Sequence, residues 1–156
     1  MKISEALSEE LILPDLNSHE RESVVREMVH FLNGKSGVTQ ADQLLDRLLQ
    51  REKMGSTAIG RGVAIPHCKL KGINKPLVMI GLSREGVEFE AVDRKPVHLF
   101  FIVVTSPDAP NDNLQILASI AQLVRWSKSL VKKILQADGR HSLLDIIREE
   151  EDRRHE

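Results

Sequence analysis

Between Arg51 and Lys69 the chain gathers the parts of a phosphoryl acceptor. His67 follows the apolar run Val-Ala-Ile and a proline, with Ser56, Thr57, Gly55, Gly60 and Gly62 upstream and three cations, Arg51, Arg61 and Lys69, around it. A neutral imidazole is a nucleophile near neutral pH. Glycines let backbone N–H groups turn towards an anion, and a guanidinium can grip two phosphate oxygens at once. Transfer of a phosphoryl group needs alignment and charge neutralisation more than covalent help. The nitrogen that attacks must be unprotonated, so the other ring nitrogen has to donate to a fixed acceptor, and the sequence does not name that acceptor. Pro66 fixes its own φ and brings no N–H to compete in the loop. A plainer reading stands beside this one. A histidine after a proline at a strand end is also an ordinary structural residue, Arg51 an ordinary helix-end cation, Ser56 and Thr57 ordinary turn residues, and Arg61 and Lys69 ordinary solvated charges.

The elements that must position these residues follow from periodicity. Leu11-Ile12-Leu13 before Pro14 predicts a short strand. Ser18 is expected to cap a helix carrying Val24, Val25, Met28, Val29 and Leu32, stopped by Gly34. Thr39 is expected to cap a second helix with Leu44, Leu45, Leu48 and Leu49 on one stripe, which puts Arg51 on its last turn. The middle is β-like: Val63-Ala64-Ile65, Leu77 to Leu82, Val87-Glu88-Phe89 and His98 to Val104 are short β-branched or apolar runs. Leu99 to Val104 lacks alternation, as a strand covered on both faces should. Helical patterns then return at about 112–126, 128–137 and, with Ser142 as cap, 142–150. Helices on both sides of a β-rich centre imply a layered α/β sandwich.

The chain of 156 residues reads as a single domain over 1–150, followed by a charged tail at 151–156 that includes His155. A net charge of −1 gives no electrostatic reason to expect nucleic acid. One cysteine excludes an internal disulfide and suits a reducing compartment. No apolar run approaches the ~20 residues that span a bilayer, and the charged N-terminus is unlike a signal peptide. A cytoplasmic protein with no direct membrane insertion is expected. His19, His30, His98, His141 and His155 are scattered, and no spacing suggests a metal or calls for a cofactor. Cys68 adjoins His67, but neighbours on an extended chain point to opposite faces, which argues against a Cys–His dyad.

Arg-Glu-x-x-Gly-Ser-Thr, a Gly-containing spacer and Ala-Ile-Pro-His form a 17-residue signature from Arg51 to His67. It resembles the active-site signature of the fructose/mannitol-type enzyme IIA domains of the phosphoenolpyruvate-dependent phosphotransferase system, and is most similar to their nitrogen-regulatory branch. The resemblance extends over essentially the whole chain. It implies a mixed sheet of about five strands flanked by helices, with the active histidine at the sheet edge. It implies phosphorylation of His67 on Nε2 by a phospho-HPr-like protein, with Arg51 as catalytic partner and Ser56 and Thr57 as phosphate ligands. It also implies a downstream partner: an enzyme IIB domain, a transporter or a regulatory protein. Relatives place a second histidine where this chain has Asn113. An amide there can still donate to a phosphoryl oxygen but cannot become a cation. Three roles follow from the resemblance: a phosphocarrier in nitrogen or metabolic regulation, a regulatory binding module without onward transfer, and the IIA component of a sugar transporter.

Overall fold

In a computed structural model, which describes residues 2–154, six strands form one mixed sheet: β1 (Ile12–Leu13), β2 (Ala58–Gly60), β3 (Val63–Ala64), β4 (His67–Lys69), β5 (Leu77–Val87) and β6 (Val97–Thr105). Five helices surround it: α1 (Arg21–Leu32), α2 (Ala41–Lys53), α3 (Pro110–Trp126), α4 (Leu130–Leu135) and α5 (Arg140–Arg154). β5 and β6 are the antiparallel centre. β1 lies parallel to β5 on one side. On the other side β3 and β4 follow one another along β6, both parallel to it, and β2 closes the edge antiparallel to β3.

Alternate residues of β6 feed two cores. Phe100, Ile102 and Val104 pack with α1 and α2 residues such as Val25, Met28, Leu44 and Leu48. Leu99, Phe101 and Val103 pack with Ile116, Ile120, Leu143 and Ile147 of α3 and α5. A run apolar at every position from Leu99 to Val104 is the consequence of a helical layer on each face. Gly81 of β5 lets the α1 layer come close, since a Cβ there would lie 2.8 Å from Cε of Met28.

The helix starts differ from the sequence expectation. α1 begins at Arg21; the backbone N–H of Ser18 donates instead to Oε1 of Glu27 at 2.9 Å. α2 begins at Ala41 without a side-chain cap from Thr39, and Ser142 lies inside α5. β5 runs unbroken to Val87, with an irregular register between Leu82 and Val87.

The tail expected at 151–156 is also corrected as far as the described residues reach. α5 continues to Arg154, and the buried Glu151 accepts from the N–H groups of Ile3 (2.6 Å) and Ser4 (2.8 Å). Lys2 pairs with Asp152 at 2.7 Å. The two charge-assisted bonds to the buried Glu151 carboxylate are each worth about 1.5–3 kcal/mol, and a clasp between the two ends of a chain leaves no local trace in sequence. His155 lies outside the described residues.

Candidate functional site

The Ile65–Pro66 step between β3 and β4 builds the histidine's seat. The N–H of Ile65 donates to Thr57 O at 3.0 Å, and Pro66 O accepts from Val103 N at 3.0 Å. The carbonyl of Ile65 accepts from Nδ1 of His67 at 2.7 Å. A carbonyl can only accept, so Nδ1 carries the proton and Nε2 the lone pair. His67 pairs in register with Val103, which faces the α3 layer, and Cys68 with Val104, which faces α1 and α2. Half-burial holds the His67 imidazole below its usual value. The Ile65 hydrogen bond opposes this, and the Arg51 charge adds to it. Burial pushes the Cys68 thiol up to about 12. The two neighbours thus sit on opposite faces, one a ready nucleophile and the other an inert thiol.

Arg51 lies on the last turn of α2, where its Nη1 donates to Gly55 O at 2.8 Å across the turn that follows. That contact uses one of five guanidinium donors. The hydroxyls of Ser56 and Thr57 are turned to protein partners. Ser56 Oγ donates to Phe89 O and accepts from Ala58 N at 3.1 Å. Thr57 donates both its N–H (3.2 Å, to Oε2) and its hydroxyl to the carboxylate of Glu52. Glu52 is 3% exposed, and burial raises its carboxyl above the usual range against the pull of the two Thr57 bonds. Sequence reasoning missed Glu52, although a signal was present: it continues the Leu44, Leu48 stripe at a further four residues, so helical spacing turns it inward.

Arg61, one of the three cations near His67 in sequence, has its guanidinium engaged by the protein itself. At φ +57° between Gly60 (+90°) and Gly62 (+81°), it forms the tight β2–β3 turn. Its N–H donates to Asp93 Oδ2 at 2.9 Å and its Nη1 to Val124 O (3.0 Å) and Arg125 O (2.8 Å), capping the C-terminus of α3. Lys69 is exposed on β4. Asn113 lies in the first turns of α3, on the layer that His67 faces, and its Oδ1 is buried without a hydrogen-bond partner. Met54, Ile59 and Leu114 leave large apolar side chains exposed on the segments that carry Arg51, Thr57 and Asn113. Among the described residues no group of three His, Cys, Asp or Glu side chains could hold a metal ion.

The family model described as "Phosphoenolpyruvate-dependent sugar phosphotransferase system, EIIA 2" matches residues 5–150. The chain belongs to this EIIA family. It is 31% identical over 147 residues to a nitrogen regulatory protein of Bradyrhizobium diazoefficiens, covering 94% of this chain and 95% of that one. It is 33% identical over 147 residues to the fructose-specific EIIABC component of Bacillus subtilis, spanning 94% of this chain but 23% of that longer protein. The crystal structure of the nitrogen regulatory protein IIA-Ntr from Neisseria meningitidis superposes with a TM-score of 0.84 at 28% identity, covering 93% of this chain and 98% of that one. The EIIA fold is therefore shared over 93% of this chain. Among the described residues no helix is long and apolar enough to cross a membrane.

Proposed function

We propose that this EIIA protein is a cytoplasmic phosphocarrier whose acceptor atom is Nε2 of His67. The observation that carries the reading is the Nδ1–H bond to Ile65 O, which fixes the tautomer and leaves the Nε2 lone pair to react. A phospho-HPr-like donor docks on the apolar side chains of Met54, Ile59 and Leu114. Nε2 attacks the donor's phosphorus in line, the new N–P bond forms as the donor's N–P bond breaks, and the electron pair stays on the donor imidazole. Arg51 neutralises charge on the three equatorial oxygens. With the Ser56 and Thr57 hydroxyls and the Thr57 N–H engaged internally, Glu52 holds Thr57 in place, and the Thr57 carbonyl in turn accepts from the Ile65 N–H beside the histidine. The Asn113 amide supplies a neutral donor where a second histidine would bring a cation.

Likeness to the two nitrogen regulatory proteins over the full chain supports a place in nitrogen or metabolic regulation. The second reading, a sugar-transport component that passes the group to an enzyme IIB domain, is favoured by the likeness to the fructose-specific protein.

The test is reconstitution with phosphoenolpyruvate, enzyme I and HPr, read as intact mass. One acid-labile phosphoryl group, absent from the His67→Ala protein, is expected. A protein that stays unmodified beside proven phospho-HPr would sink the phosphocarrier reading. Adding enzyme IIB domains to the phosphorylated protein separates the two roles: loss of the label supports transport, and retention supports regulation.

A further inference from the structure

At the far end of α3 a groove of about 610 Å³ opens between Trp126, the segment after it and α5. It lies within the ~300–1,000 Å³ range of small-molecule sites. Asn113 and Trp126 are 13 residues apart on one helix, roughly 20 Å at 1.5 Å per residue, so this groove is separate from the His67 site. Trp126 closes one end with 56% of its surface exposed. Lys128, Lys133 and Arg153 line the groove against a single carboxylate, Glu150. Three cations against one anion give this surface a net charge of +2, in a chain whose net charge is −1.

Two of the three cations are pre-positioned. Glu150, itself 6% exposed, is held by Ser127 Oγ at 2.6 Å, and it anchors Lys133 Nζ at 2.9 Å and Arg153 Nη1 at 3.1 Å. Each anchor uses one donor, leaving two on the ammonium and four on the guanidinium. Holding long side chains in place beforehand reduces the ordering cost of binding an anion. The adjoining hollow of about 350 Å³ shares Lys133 and Arg153 but adds Glu149, which makes it the less favourable half for phosphate.

We propose that this groove binds a nucleotide carrying two or more phosphates, its base stacked on Trp126 and its phosphates held by Lys128, Lys133 and Arg153. An exposed indole beside several cations matches that ligand's two halves, because a base offers a π-face and the phosphates several negative charges. Arg61, inside the signature segment, donates to the carbonyls of Val124 and Arg125 just before Trp126. The groove therefore borders the loop system that leads to His67.

Trp126 is the single tryptophan and the chain has no tyrosine, so its fluorescence reports the groove directly. The experiment titrates the full chain with ATP, inorganic triphosphate and adenosine at low ionic strength. ATP should change the emission saturably and bind at least tenfold tighter than either fragment. Lys128→Glu, at an exposed position, should weaken ATP binding about tenfold or more, whereas Lys71→Glu, beyond β4, should leave it unchanged. No saturable change up to millimolar ATP overturns the proposal. So does equal affinity for triphosphate and ATP, which would mark a general polyanion surface such as one for an acidic protein segment. Equal weakening by the two charge reversals would also overturn it, by showing an overall field effect.

Discussion

His67 and His98 are held by the same device and sit in different surroundings. Both are half-buried, His67 on β4 and His98 on the adjoining central strand β6, and both donate Nδ1–H to a backbone carbonyl, Ile65 O at 2.7 Å and Ser83 O at 2.8 Å. Around His98 the second edge of the ring is covered: a Cβ on Gly86 would lie 3.0 Å from Cε1 and 3.3 Å from Nε2. Gly86 takes φ +90° under Pro96, so that turn packs on the ring and the imidazole serves as filling. The ring of His67 instead lies within reach of the Arg51 charge. Fixing a tautomer is therefore a general way to satisfy a half-buried histidine. A phosphoryl acceptor needs, in addition, a reachable second nitrogen and a cation to receive the oxygens.

The largest expected effect breaks the pair apart. His67→Ala should abolish phosphoryl uptake, while His98→Ala should keep one phosphoryl group per chain by intact mass. Label found on the His98 ring would reverse the assignment. Arg51→Ala comes next, with uptake slowed roughly 10²-fold, the scale of losing one charge-stabilising donor, in a quenched-flow transfer assay. A smaller effect is expected at the loop that distinguishes the two histidines. Thr57→Val removes the hydroxyl's bond to the buried Glu52 carboxylate while keeping the backbone one, and should cost about 1–3 kcal/mol in urea unfolding. An unchanged midpoint would show that this anchor contributes nothing.

The smallest effect is electrostatic. Burial first, and Arg51 in addition, hold His67 below the ordinary histidine value of 6.5. Its ring should titrate by NMR below pH 6.5, and in Arg51→Gln the midpoint should move up. The unfolded chain then takes up its proton first as pH falls. His67's contribution to stability is thus complete above pH 6.5 and is lost as pH drops from there through the lower folded value. The neutral nucleophile correspondingly persists into mildly acidic solution.

Much of this was legible in the residues. The apolar run from Leu99 to Val104 announced a strand covered on both faces, and the leucine stripe of α2 placed Arg51 on its last turn. Cys68 was separable from His67 by strand alternation alone. What could not be read there shares one cause. Ser18, Thr39 and Ser142 are good capping residues by type, but the helices start where packing and longer-range bonds set them. Ser56 and Thr57 have hydroxyls fit for a phosphate, yet Phe89 O and the Glu52 carboxylate take them. Arg61 reads as a loop charge and caps a helix some sixty residues later in the chain. The three-residue strands β2 and β4 are too short to carry a periodic signal.

The sequence by itself singled out His67 and Arg51 as candidates and fixed the layered class, because nucleophile, cation and hydrophobic period are properties of residue type and local spacing. The tertiary structure decided which nitrogen of His67 keeps its lone pair, which hydroxyls are already engaged, and how the two ends of the chain are clasped. Each of those outcomes depends on which partner lies within about 3 Å of a polar atom, and for Ser56, Arg61 and Glu151 that partner comes from a distant part of the chain.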